Sequence, residues 1–526
     1  MESHGIVYDK LNKEWKSTSR QVFGGEVGEL KDYQEWLTGL NNPSFVKRSS
    51  ISGVETVFTS SEFSECSKFI AMDEVDFNRK FEPLKINEIK DIDSILEALR
   101  ERFYYCGNIV LGNSKFIEKS SNVSDSFFVY DSVKISDCKN IAYSQYLRLC
   151  ENIFGTNEGG ESKFCIRCAI LFKNNRSFEL WKSTNCSDCY YSFGLDACKE
   201  ALFSFNVIGR NYIIGNLTLS KDKYHEIKTK LLAEMREKLI LDKRLPSLVE
   251  ITLQADFYHS KVAAIIKNHS EQESTNKKII EDSFSRVTAV VFGKQLEGGI
   301  DSYSQWLQSH TVVPYQVESV LSKCAVQISE WPGLSQLPKN RLVTIDEALK
   351  ISNLTISQKE VESISLENVP SLLGRIAYYA PETMTGTNSN LINCQWGSSA
   401  VNCYKSVICV YSKNCAFCSW PRSSEYCFGC GIAFDCNFSM KCYDSVKLSR
   451  CFEVDGGRDC AETYFSHNVE GLQNAAFCFN VKNKRHAVGN AEVGKERFLD
   501  VKRFIQDWAY EELRKKKKLG LSIYAL

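Results

Sequence analysis

Residues 203–216 read FSFNVIGRNYIIGN, and residues 477–490 read FCFNVKNKRHAVGN. The two stretches stand at an offset of 274 (477 less 203). The same offset holds around them. Cys186, Tyr190, Ser192 and Ala201 fall on Cys460, Tyr464, Ser466 and Ala475. Far upstream, Tyr104-Tyr105 falls on Tyr378-Tyr379 and Gly112 on Gly386, still at 274. One offset at both flanks means that the stretch between them has equal length in two copies. A tandem duplication explains this, and chance does not. Near each start lies a further pair: Val22-Phe23-Gly24 with Tyr33 and Trp36-Leu37, against Val291-Phe292-Gly293 with Tyr303 and Trp306-Leu307.

A second match breaks the offset. Residues 130–138 (YDSVKISDC) resemble 443–451 (YDSVKLSRC) at offset 313, a slip of 39 (313 less 274). A slip that keeps similarity requires the middle region to be repetitive. Thirty-nine residues make two coils of about 20, a fitting size for a β-solenoid. Both middle regions carry short runs such as DSFFVYDS, KFCIRC, SVICVYS and EYCFGC, in which apolar and polar residues alternate. Alternation at period two predicts strands with one face in and one out. Eight cysteines lie between Cys106 and Cys198, and twelve between Cys394 and Cys478. Small side chains suit the narrow interior of stacked coils about 4.8 Å apart.

The fold expected is mostly β with α, in tandem duplication. Each copy has a mixed α/β N-terminal segment, a short Cys-rich β-solenoid and a capping helix. The divisions are 1–106 (mixed segment), 107–216 (solenoid) and 217–245 (capping helix). A linker over 246–285, polar from 265 onward, leads to 286–384 (second mixed segment), 385–490 (second solenoid) and 491–526 (capping helix and basic tail). In the first capping helix Ser220 is the N-cap, with Tyr224, Ile227, Leu231 and Met235 on one face. Phe498, Val501, Ile505 and Trp508 form the matching face. Residues 91–103 predict a helix, with 371–379 as its partner. Such helices would cover strand edges that otherwise invite aggregation.

The 526 residues carry 65 Lys+Arg against 65 Asp+Glu, so the formal net charge is zero. That argues against a nucleic-acid-binding protein, which needs a basic excess. The N-terminus, MESHGIVYDKLNKEWKSTSR, has no apolar core of a secretory signal, and no apolar run is long enough for a membrane span. The expected place is therefore the cytoplasm, or a virion, with no membrane partner. There the 22 cysteines are thiols, behaving as small buried hydrophobes.

The middle regions resemble a family of cysteine-rich repeat proteins from small-genome uncultured bacteria, some archaea and large phages. The resemblance rests on NCSDCYYSFG (185–194), EYCFGCG (425–431), FSFNVIGRNYIIGN followed by residues 221–224, and FCFNVKNKRHAVGN followed by 495–498. It covers about 200 residues and implies a β-solenoid-like fold. Family members often carry CxxC pairs ahead of the repeats; this chain has none before residue 165. The family supplies no activity.

Zinc is the sharpest chemical possibility. Seventeen positions separate the pair Cys165/Cys168 from Cys186/Cys189, and eight separate Cys415/Cys418 from Cys427/Cys430, spacings open to four-cysteine sites. Yet at offset 274 no CxxC occupies the same place in both copies. Only Cys168 and Cys186 find partners, at Cys442 and Cys460. A β-helix hydrolase or lyase would need converging carboxylates. The candidates Asp131, Asp137, Asp188 and Asp196 are scattered, and His467 and His486 are the only histidines in either solenoid region. Arg514 to Lys518 would serve RNA or ribosome contact, but equally suits a helix C-terminus. No catalytic, cofactor or metal residue is assigned. The sequence points to a non-enzymatic scaffold that contacts protein partners or assembles with itself, as in a virion. The alternatives are a zinc-binding module mediating protein or RNA contacts, and a β-helix enzyme.

Overall fold

The computed structural model describes residues 5–42, 44–85, 90–266 and 275–526. The chain is mixed α and β. Its main features are a 14-stranded and a 12-stranded sheet, each almost wholly parallel. Beyond a first pairing thirteen apart in each ladder, Val110 with Val123 and Thr383 with Trp396, parallel strands pair with the segment twelve positions onward: Gln145 with Asn157, Asn157 with Ala169, Ala169 with Trp181, and Trp181 with Phe193. In the second sheet Gly431 pairs with Tyr443 and Tyr443 with Asp455. The repeat is thus of twelve, not of the twenty expected from the slip of 39. Thirty-nine is three such repeats and three positions more.

The reason is a backbone turn at every third residue. From Phe116 to Gly215 each third residue has positive φ, and so does each from Ser423 to Gly489. Between Asn390 and Ser423 the run omits only Trp396, Ile408 and Trp420. Four such corners return the chain above its starting point. A left-handed corner costs a residue other than glycine about 1–2 kcal/mol. Continuous ladder bonding offsets this. The corner N–H of Asp131 reaches back to Glu118 O at 3.1 Å, and the N–H of Val133 reaches forward to Ser144 O at 3.1 Å.

The interior is also set by threes, not twos. The residue after each corner points inward: Ser132, Ile135, Cys138, Ile141, Ser144 and Leu147 are successive buried positions. Nineteen of the 22 cysteines, all but Cys66, Cys106 and Cys324, fall on this phase and are buried. Inward serines form a second ladder. Ser132 Oγ donates to Tyr130 O at 2.8 Å and accepts from the N–H of Ser144 at 3.1 Å. Outside, opposite charges stack one repeat apart, as in Arg176–Asp188 at 2.7 Å and Arg450–Glu462 at 3.1 Å.

Helices cover the flanks. Ile6–Phe23 packs beside Lys221–Asp242, and Lys277–Phe292 beside Lys495–Lys516. Ser220 caps its helix as expected, and Tyr224, Ile227, Leu231 and Met235 are buried. In Lys495–Lys516 the buried face runs Phe498, Val501, Ile505, Ala509, with Trp508 half-buried at its edge. The last strand of each ladder is closed by a two-residue antiparallel return, Leu217–Thr218 and Ala491–Glu492. Helix Ile92–Leu99 starts from a capping box at Asp91 and runs into the 3₁₀ turn Arg100–Arg102. Residues 371–379, expected as the partner of that helix, hold the end of the short helix Val369–Leu372 and the 3₁₀ turn Leu373–Arg375. Residues 246–285 hold helices Leu248–Leu253 and His259–Ala263 and the start of Lys277–Phe292. Residues 267–274 of the expected linker lie outside the described residues.

The two ladders lie side by side and run in opposite directions along their contact. Lys134 of the first meets Asp444 of the second at 2.9 Å. One repeat further on in the first ladder, Tyr146 meets Trp420, two repeats earlier in the second, at a ring distance of 6.2 Å. Trp331 fills the space between those rings.

Candidate functional site

The eight cysteines with zinc-like spacing are explained by the inward phase. Cys165 and Cys168 are successive interior positions, as are the members of the other three pairs. CxxC is therefore what two adjacent walls with inward cysteine look like in sequence. Each of the eight thiols donates to the carbonyl two residues back, from 3.2 Å at Cys165 to 3.7 Å at Cys430. Hydrogen bonds of this kind use the protonated thiol, whereas zinc takes the thiolate. Among the described residues no group of three or more His, Cys, Asp or Glu side chains is placed to hold a metal ion.

The four candidate carboxylates stay apart. Asp131 accepts from Gln34 Nε2 at 2.9 Å, Asp188 is held by Arg176, and Asp137 lies 3.6 Å from Arg148. Asp196 sits on a ladder bridge between Thr184 and Ile208. His486 packs its ring 6.1 Å from Phe498. In the basic run, Arg514 and Lys515 pair with Glu511 and Lys516 with Glu512, while Lys517 Nζ donates to Glu297 O and Tyr303 Oη. Those charges close the end of a helix.

His467 looks at first like half of a catalytic pair, since its Nδ1 lies 2.8 Å from Asp455 Oδ2. Its other nitrogen, Nε2, accepts the backbone N–H of Cys106 at 2.9 Å. That bond places the proton on Nδ1 and leaves no lone pair for a substrate. Asp455 also takes the Tyr524 hydroxyl at 3.1 Å. The pair is a buried lock that ties the first mixed segment and the C-terminus to the second ladder.

Polar groups that face open space converge elsewhere, beside the contact between the ladders. A cleft of about 290 Å³ lies there, with an inner chamber of about 20 Å³ sharing Thr59, Ser60 and Asp444. Lys134 and Tyr146 come from corners of the first ladder, Tyr443 and Asp444 from the second. Glu62 and His310 come from loops, and Tyr524 from the C-terminal turn. Asp444 binds Lys134 and accepts from Thr59 Oγ1 at 3.3 Å and Asn122 Nδ2 at 3.4 Å. Burial pushes the Asp444 carboxyl up against the pull of Lys134. Burial lowers Lys134, but Asp444 and then Tyr146 outweigh it and hold the ammonium above its usual range. Glu62 pairs with His310, whose ring lies 5.7 Å from Tyr443 and 5.2 Å from Tyr524.

None of these cleft residues stands out in the sequence, although Tyr443 and Asp444 lie inside the quoted YDSVKLSRC. The signal that could have found them is a failure of correspondence. At offset 274 Lys134 falls on Ile408, Tyr443 on Ala169 and Asp444 on Ile170. Polar residues of one half answer to apolar ones in the other.

No protein-family model matches the chain, and neither a curated protein nor a solved structure matches it. No helix among the described residues is long and apolar enough to cross a membrane.

Proposed function

We propose that the protein is a non-enzymatic structural or interaction scaffold, built as two tandem copies of a mixed segment, a Cys-rich β-solenoid and a flanking helix. The parallel register of twelve and the corner at every third residue support the solenoid. Support for the duplication comes from contacts repeated at offset 274 and from two flanking helices of 22 residues each. Membership of the cysteine-rich repeat family belongs to the same proposal, on the motifs quoted above.

The observation that carries the scaffold reading is the use of the cysteines. Nineteen inward thiols are buried within the ladders, so this residue type is spent on packing and rigidity. A stiff block with charge-laddered outer walls suits assembly with copies of itself or within a larger particle such as a virion. Sedimentation velocity of the intact chain over a range of concentrations, paired with metal analysis, tests this. Concentration-dependent assembly without bound zinc is the expected result. A monomer at every concentration that retains one or two zinc ions would replace this reading with the zinc-module alternative.

A further inference from the structure

The two mixed segments carry the same hairpin. Phe45–Arg48 with Glu55–Phe58 matches Tyr315–Glu318 with Ala325–Ile328. A serine at each tip donates to a glutamate, Ser49 to Glu74 and Ser319 to Glu347. The N–H of the following residue reaches the neighbouring segment, from Ser50 to Phe69 O at 2.8 Å and from Val320 to Leu342 O at 3.0 Å. These bonds align the copies around the tip. Ile51 and Val54 answer to Leu321 and Cys324, Lys68 to Arg341, and Tyr104 to Tyr378.

In the second copy this surface is covered by residues 255–266. Arg341 Nη2 donates to Ala255 O at 2.6 Å and Asp256 O at 3.0 Å, and its guanidinium lies 4.8 Å from the Phe257 ring centre. His259 Nδ1 meets the Tyr378 hydroxyl at 3.1 Å. Val262, in helix His259–Ala263, is buried in one cluster with Tyr378, and Val320 and Leu321 pack against that cluster.

In the first copy the matching surface is bare. Ile51 is 62% exposed and Val54 48%. Tyr104 is half-buried, whereas Tyr378 is fully buried. Lys68 keeps the cation of Arg341 and pairs with Glu101, itself 81% exposed, an ion pair that solvent makes weak. Among the described residues none lies over this tip as 255–266 lie over the other.

We propose that the first hairpin tip is a docking site for a short amphipathic helix of a partner protein, with the chemistry of residues 255–266. The partner would offer an aromatic ring and carbonyls to Lys68, a hydrogen-bonding side chain to the Tyr104 hydroxyl, and a branched apolar residue to Ile51 and Val54. Apolar anchors on one helix face are a recurring mode of recognition. This site gives the scaffold reading a class of partner and rests on it. Peptide binding is read apart from self-assembly and metal content, so each can fail alone.

Calorimetric titration of the intact chain with a synthetic peptide of residues 255–266 (ADFYHSKVAAII) tests the site. The same peptide with Val262→Asp is a second arm, and sedimentation of the parent and of Ile51→Lys is a third. Saturable binding of one peptide per chain is expected. Ile51→Lys in the protein, or Val262→Asp in the peptide, should each weaken it at least tenfold, because a charge replaces a buried apolar contact. Ile51 packs little in the free chain, so Ile51→Lys should fold, and thermal unfolding checks it. Four results would each overturn the proposal. The peptide does not saturate, or the altered peptide binds equally well. Ile51→Lys binds as the parent does, which would place the peptide on the second copy in exchange for the chain's own segment. Or the parent self-associates and Ile51→Lys does not, which would assign the tip to a second copy of the chain.

Discussion

The side-chain amide of Asn206 donates to the backbone carbonyl of Tyr378 at 2.9 Å. The contact recurs at offset 274, forward for the asparagine and back for the tyrosine: Asn480 donates to the carbonyl of Tyr104 at 2.7 Å. Each half thus holds the mixed segment of the other against its own ladder. Tyr379 packs on Phe193 and Phe205 of the first ladder, and Tyr105 on Phe479 of the second. The ladder ends repeat the exchange. Gly215 leaves no room for a Cβ against Ile356, and Gly489 none against Leu99. The halves are therefore interlocked, and neither ladder end is covered without the other half.

The interlock predicts that the two asparagines act alike. Asn206→Ala removes the donor to a buried carbonyl and Asn480→Ala the donor to a half-buried one, and each loses a residue suited to a left-handed corner. Each should cost about 1–3 kcal/mol in urea unfolding, and the double variant about the sum. A variant at either position with unchanged stability would show that the crossing contact does not hold the halves.

The corners make a prediction opposite to ordinary strand behaviour. Leu149 has φ 55° and is 53% exposed, so its side chain contributes little packing. Leu149→Gly should stabilise by about 1 kcal/mol by relieving the left-handed penalty. Leu149→Val should destabilise, because a β-branched residue tolerates that region least. In a regular strand the order would be reversed, with Val better than Gly. Chemical denaturation of both variants decides between the two geometries.

The corner period also explains what could be read in the sequence. The equal spacing of FSFNVIGRNYIIGN and FCFNVKNKRHAVGN shows at once that two regions correspond, and the Ser220 helix follows from its cap and its apolar face. The period-two reading of KFCIRC and EYCFGC misleads, because inward residues recur every third position and runs such as KFC look like alternation over three residues. Cys165 and Cys168 then resemble a metal pair when they are adjacent wall positions. The cleft was illegible for a different reason. Glu62, Lys134, His310 and Asp444 come from four separate segments, and only the antiparallel contact between the ladders brings them together.

The packing of the thiols can be tested chemically. In the native chain Cys66 is exposed and Cys324 half-buried, whereas the ladder cysteines are buried. Burial pushes the thiols of Cys451 and Cys478 up to about 12, away from the reactive thiolate. A thiol reagent at neutral pH should therefore label Cys66 quickly and Cys324 slowly, and reach all 22 cysteines only after denaturation. Prior incubation with a strong zinc chelator should change neither the labelling nor the melting temperature. Rapid labelling of Cys165 or Cys415 after chelation would show that a metal had protected them.

The contact between the ladders carries a titration. Glu158, at a corner of the first ladder, accepts the indole N–H of Trp331, and burial pushes its carboxyl from 4.5 up to about 7. A carboxyl raised in the folded state favours folding while it is protonated. The contribution is complete below the unfolded value of 4.5 and is lost as pH rises through about 7. Glu158→Gln keeps an acceptor for Trp331 and cannot ionise, so its stability does not fall over that window. Relative to the variant, the parent should lose up to about 3 kcal/mol between pH ~4.5 and pH ~8. Urea unfolding of both proteins at those two pH values measures the difference directly. An equal gap at both values would mean that Glu158 titrates in the folded chain as it does in the unfolded one, so that its burial against Trp331 does not hold the proton.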